Sequence, residues 1–139
     1  MKNFIIFSSL LLLVSCDYHT LTRIVNKSDN EIFVEFFFDS TTIKSTFRLD
    51  INDFYNKEEK GLISVKVDTQ NYIGIYKISP NSIASIELST GKYPSFYYIN
   101  GLSIYSVKDT IQLKNKDGLR EAFDVDKSEY SGTYDIIIE

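Results

Sequence analysis

Apolar and polar residues alternate through most of this chain, and the alternation is the two-residue period of half-buried strands. Ile43, Ser45, Phe47, Leu49 and Ile51 alternate with Lys44, Thr46, Arg48 and Asp50, which predicts a strand with one wet face. Ile63, Val65 and Val67 alternate with Ser64, Lys66 and Asp68 and predict another, with its three apolar residues on one face. Further strands are expected at Leu21 to Val25, Ile32 to Phe38, Tyr72 to Ile78, Ile83 to Leu88, Thr110 to Leu113 and Tyr130 to Ile138. In FYYINGLSIYSV, Asn100-Gly101 separates two strand-like runs. Asn-Gly accepts the positive φ angles of a type I′ turn, so the pair predicts a tight hairpin there.

Turn chemistry punctuates the rest at short intervals: Asn26 to Asn30, Ser79-Pro80-Asn81-Ser82 and Ser89-Thr90-Gly91-Lys92. One stretch leans towards helix, Ile51 to Lys60, where Asn52 or Asp53 is placed to cap and Gly61 to stop it. Strands every 8 to 12 residues without long helical patterns predict an all-β domain. The expected architecture is a single β-sandwich, Ig-like or transthyretin-like, with at most one short helix; a barrel is the alternative.

Two segments break the alternation. In IFVEFFFD, Ile32, Val34, Phe36 and Phe38 share one face while Phe33 and Phe37 flank Glu35 on the other. In YDIIIE, three isoleucines run together. A strand apolar on both faces is either covered on both sides or carries a patch for a partner; coverage by a loop or short helix is the simpler expectation.

The N-terminus has its own pattern. Lys2 and Asn3 are followed by a run of 11 residues, Phe4 to Val14, whose apolar character only Ser8 and Ser9 interrupt. That run is too short for a membrane-spanning helix, which needs about 20 residues, and has the proportions of a secretory signal. Leu13-Val14-Ser15-Cys16 closes it with the chain's one cysteine. The motif resembles the lipobox of bacterial lipoproteins: a branched apolar residue, a tolerant position, a small residue, then cysteine. The resemblance covers the first sixteen residues. It implies that the Cys16 thiol takes a diacylglycerol, that cleavage falls between Ser15 and Cys16, and that acyl chains, palmitate among them, anchor the mature protein. Two or three chains hold a protein far better than a single myristoyl, at ~0.8 kcal/mol per buried methylene. Residues 1–15 are thus read as signal peptide, 16–20 as lipidated terminus and tether, and 21–139 as the folded domain. Asp17 fits an inner-membrane retention pattern of enterobacteria. In style the chain resembles the small lipoproteins of Bacteroidota, which reach the outer membrane; a periplasm-facing outer-membrane anchor is expected.

Composition narrows the partners. Without Lys2, 14 basic residues face 19 acidic ones, a mature charge of −5. An acidic chain without a basic patch does not suit nucleic acid or anionic headgroups. Committing Cys16 to lipid leaves no disulfide, so burial alone must hold the core, and 18 of the 20 aromatics lie beyond the signal to supply it.

Catalytic chemistry finds little footing. The only histidine, His19, falls in the tether, which disfavours His-based nucleophilic catalysis and histidine zinc sites. Glu58, Glu59, Asp109, Asp117, Asp124 and Asp126 offer carboxylates, but near turns and on polar strand faces, where solvation alone places them. Asp124, Asp126, Ser128 and Asp135 take the first, third, fifth and twelfth places of an EF-hand-like loop, yet Glu129 replaces the required glycine and the twelfth place lacks its glutamate. It reads as an acidic turn. No metal, cofactor or catalytic residue is expected. Asn26-Lys27-Ser28 fits a glycosylation sequon without meaning in a bacterial lipoprotein.

What remains is binding. Tyr93, Phe96, Tyr97, Tyr98 and Tyr105 cluster about the expected Asn-Gly hairpin, and tyrosine suits contact surfaces, although it is also a good strand residue. The expectation is a non-catalytic envelope lipoprotein, anchored through Cys16 and contacting another envelope protein through Phe33 and Phe37 or through Tyr93, Tyr97, Tyr98 and Tyr105. The alternatives are a glycan- or peptidoglycan-binding module, and an accessory or immunity lipoprotein of a secretion system.

Overall fold

The computed structural model describes residues 18–46, 61–125 and 132–139. The chain is all-β, and the described strands form two sheets. Its strands are β1 (His19–Asn26), β2 (Ile32–Phe38), β3 (Ile63–Asp68), β4 (Ile73–Ile78), β5 (Ser82–Thr90), β6 (Ile99–Tyr105), β7 (Thr110–Leu113) and β8 (Thr133–Ile138). Helix α1 (Ser40–Thr46) follows β2, and α2 (Lys116–Ala122) follows β7. One sheet has three strands in the order β5-β1-β8, the other five in the order β3-β4-β2-β6-β7. All pairings are antiparallel except β1 with β8.

The core lies between the sheets. Ile32, Val34 and Phe36 of β2, Tyr76 and Ile78 of β4 and Leu102 and Ile104 of β6 face Ile24 of β1, Ala84 of β5 and Tyr134, Ile136 and Ile138 of β8. Each large aliphatic buried there contributes about 1.5–3 kcal/mol relative to exposure. Two buried polar side chains join the layers towards opposite ends of β1. At one end the Asn26 amide donates to Asn30 O at 2.8 Å and Ser79 O at 2.9 Å, while its Oδ1 accepts from Ser28 N and Oγ. At the other, Glu87 of β5 turns inward (below).

Thr22, also inward and fully buried, has a hydroxyl with no partner among the described residues. A desolvated, unpaired hydroxyl is unfavourable, and valine keeps the shape and suits a strand. Thr22→Val is therefore expected to raise stability by about 1 kcal/mol, read as a higher urea midpoint with an unchanged slope.

Several expectations are corrected. The described residues hold two short helices, where the expectation is at most one. The period-two run starting at Ile43 does not begin a strand: Asp39 Oδ1 accepts the N–H groups of Thr41 and Thr42 at 3.0 and 3.1 Å and starts α1, with Ile43 as its one buried anchor. The Thr42 amide above all holds the Asp39 carboxyl below its usual range. Residues 47–60, including the expected helix at Ile51 to Lys60, lie outside the described residues. Asn100-Gly101 is not a turn either, because β6 runs straight through it. Phe38 pairs with Ile99 and Phe37 with Gly101, so Asn100 is the extra residue of a bulge. In β3 the pairing skips Val65, and this bulge reverses the parity: Val67 packs on the core while Ile63 is exposed. Gly91, at φ +126°, ends β5; Ser89 and Thr90 belong to the strand and not to the predicted turn.

Candidate functional site

On the outer face of the five-stranded sheet, β2 presents Phe33, Glu35 and Phe37. With Ile32, Val34 and Phe36 committed to the core, the pleat sends the odd-numbered residues outward. The two phenylalanines stay 38% and 36% exposed, so the described residues cover neither completely. Phe33 stands between Tyr105 on β6 and Lys77 on β4, and Phe37 between Gly101 and Ile73. The Tyr105 hydroxyl donates to Glu35 Oε2 at 2.8 Å, and this bond, with partial burial, raises the phenol above its usual range. Half-buried Ile73 and Ile75 extend the apolar surface along β4. Lys77 pairs with Glu31 at 2.7 Å beside it. The result is a row of part-exposed aromatics with Glu35 among them and the Lys77–Glu31 pair beside them.

The second feature is a cavity of about 430 Å³ between the sheets. Phe36, Phe38 and Tyr76 form one wall, with Phe36 stacked on Phe38 at 5.7 Å and edge-on to Tyr76 at 5.5 Å. Ile86, Leu88, Leu62 and Ile99 add aliphatic surface. Tyr97 and Tyr98, in T-shaped contact at 4.8 Å, line it from the loop after β5. Burial, then the neighbouring Tyr97, raises the Tyr98 phenol above its usual range.

Glu87 organises this end of the molecule. In β5 the pairing skips Ile86, and the bulge points Glu87 inward opposite Thr22. Its Oε1 accepts from Ser95 Oγ at 3.2 Å and Tyr97 N at 2.8 Å; its Oε2 accepts from Ser89 Oγ at 3.3 Å and Phe96 N at 2.9 Å. Those bonds hold Phe96 at φ +46°, an unusual conformation for a bulky residue, while its ring packs fully buried on Phe123 at 5.6 Å.

The predicted residues thus separate. Phe33, Phe37 and Tyr105 come together on the outer face. Tyr97 and Tyr98 sit at the cavity, Tyr93 lies exposed on the same loop under Lys92, and Phe96 is core. No single tyrosine hairpin exists: residues 91–98 form a loop, and Tyr105 ends β6 on the other side of the sheet. His19 is not in a tether but opens β1, paired with Thr90. Asp109 sits in the β6–β7 turn and Asp117 in the first turn of α2. Asp135 is held bidentately by Arg23 at 2.8 and 2.7 Å across β1 and β8. Among the described residues no three His, Cys, Asp or Glu side chains group as metal ligands. Cys16, Glu58, Glu59, Asp126, Ser128 and Glu129 lie outside the described residues. Sequence reasoning missed Glu87, because an acidic residue in the middle of SIELST reads as the wet face of a strand. Comparison with family models, curated proteins and solved structures finds no match to this chain.

Proposed function

We propose that this chain is a lipid-anchored protein of the bacterial envelope, held in the periplasm-facing leaflet of the outer membrane through Cys16, and that its sandwich docks another envelope protein without catalysis. The observation that carries the docking reading is the pair of exposed phenylalanines, Phe33 and Phe37, on one sheet face. Neither contributes its full burial energy to folding, whereas contiguous exposed apolar surface is the mark of an interaction site. Tyr105, tied to Glu35, prolongs the row across β6 with its ring fixed in advance, which lowers the entropy lost on binding. Only Asp17 and Tyr18 separate Cys16 from β1. Such a link reaches about 7 Å, so the domain would work close to the bilayer on a partner held in the same envelope. A sugar-stacking site has less support, because the aromatics that suggested it are divided between the loop, the core and the opposite face.

The test is photocrosslinking in a native-type envelope, with a photoreactive phenylalanine at Phe33 or Phe37 and a control at Ile83, which is exposed on the other sheet, combined with intact mass. A diacylglycerol-bearing Cys16 and one envelope protein captured from positions 33 and 37, but not from 83, are expected. An unmodified thiol or an intact leader overturns the anchor; capture that does not distinguish 33 and 37 from 83 overturns the docking face.

A further inference from the structure

We propose, independently of the docking face, that the cavity between the sheets binds an organic cation, an ammonium group carrying an apolar body. Its volume of about 430 Å³ lies within the range of roughly 300–1,000 Å³ usual for small-molecule sites. Among its described lining residues Glu87 is the only charged one, and none of them is a lysine or arginine. None of the ion pairs among the described residues involves Glu87 either. The carboxylate is nine-tenths buried, so its charge acts in surroundings less polarisable than water.

The hydrogen bonds select the ligand class. A carboxylate has about four acceptor positions, and Glu87 uses two on each oxygen for Ser89, Ser95, Phe96 and Tyr97. Little directional capacity is left for the hydroxyls of a sugar, and two of the wall's own hydroxyls already point at the acid. Among the described residues no cation pairs with the acid, and a positive group that needs no hydrogen bond can still be drawn to it. Quaternary ammonium meets that description. The walls suit it as well: the faces of Phe and Tyr attract cations within about 6 Å of the ring centre, and Phe36, Phe38, Tyr76, Tyr97 and Tyr98 all line the space. Leu62, Ile86, Leu88 and Ile99 accommodate the apolar body.

The full-length chain is titrated calorimetrically with benzyltrimethylammonium, benzyl alcohol, benzoate and N-acetylglucosamine. Saturable binding of the cation, about tenfold or more tighter than the alcohol, with no heat from benzoate or the sugar, is expected. Equal affinity for cation and alcohol, tighter binding of the sugar, or no saturable heat from the cation overturns the proposal. Glu87→Gln is expected to weaken the cation about tenfold and to leave the alcohol unchanged; unchanged cation affinity overturns it. Because Glu87 also supports the fold, Tyr97→Leu gives a second reading at a half-exposed position. With the melting temperature unchanged, cation binding is expected to fall about threefold, and an unaltered affinity counts against the aromatic wall.

Discussion

Glu87→Ala is expected to lower the unfolding free energy by about 2–4 kcal/mol, a large share of the 5–15 kcal/mol typical of a single domain. Two losses combine with the lifting of a constraint. The buried Phe96 N–H loses a charged acceptor at 2.9 Å, and nothing on the fixed backbone replaces it. The Tyr97 N–H loses its acceptor at 2.8 Å, though water entering the cavity can satisfy it. Phe96 is also released from its constraint at φ +46°. A non-glycine residue in that region costs about 1–3 kcal/mol and persists only where its surroundings over-determine it. Here the carboxylate fixes the backbone from one side and Phe123 grips the ring from the other. Without the acid the loop can relieve its strain only by withdrawing Phe96 from the core. The loss is measurable as a lower urea midpoint, with faster amide exchange over residues 91–98 than over β2 or β6. Ser95→Ala removes one exposed donor and should cost well under 1 kcal/mol. A Glu87→Ala protein as stable as the parent would show that the loop does not depend on this carboxylate, and equal effects of the two variants would say the same.

How much of this arrangement was legible beforehand depends on how far each segment's pattern reports its own surroundings. β2 was readable because Ile32, Val34 and Phe36 alternate with Phe33, Glu35 and Phe37, and a sandwich interior needs one face. The even-numbered residues go inward because only that choice buries an unbroken apolar row and leaves Glu35 in reach of water. β1 was readable as a strand but not in its facing. It turns Thr20, Thr22 and Asn26 inward together with Ile24, since its neighbours supply Ser89 and the loop carbonyls that satisfy two of the three. Those partners lie far away in sequence. Bulges were invisible for the same reason: nothing in ISVKVD says that Val65 will be skipped, nor in SIELST that skipping Ile86 turns Glu87 inward.

The helices failed differently. At α1 the apolar period of two conceals a helix that Asp39 caps, because a seven-residue helix with one buried anchor, Ile43, needs no amphipathic stripe. At α2 the signals were present. Asn115 caps through Gly118 N at 2.8 Å, Asp117 and Arg120 suit the helix dipole, and Leu119 and Phe123 stand four apart on the buried side. Gly118 inside the run obscured them, since glycine argues against helix interiors. Of the candidate residues, Phe33 and Phe37 were found because aromatics on the wrong face of a strand are visible in sequence. The cavity was not, because its walls come from β2, β4, β5, β6 and a loop.

Gly101→Ala is where the strand and the predicted turn differ most in consequence. In a type I′ turn both Asn100 and Gly101 would take positive φ, and replacing either by alanine would be costly. Neither does so here; the positive-φ glycines among the described residues are Gly61 and Gly91. Gly101 is needed instead for closeness. A Cβ on it would lie 2.5 Å from Leu113 O and 3.2 Å from Lys114 C, both backbone atoms where the chain leaves β7 for α2. No rotamer change relieves a backbone clash, so β7 or the entry to α2 must move, and that entry carries the Asn115 cap and the buried Leu119. Overpacking of this kind costs about 1–3 kcal/mol, and Gly101→Val, with two more methyl groups against the same carbonyl, belongs at or beyond the upper end. Asn100 is exposed at the bulge, so Asn100→Ala is expected to stay within about 0.5 kcal/mol of the parent. Urea unfolding of the three variants decides between the geometries: a costly Gly101 beside a silent Asn100 is the result of a close-packed strand, and comparable losses at both positions would return this dipeptide to a turn.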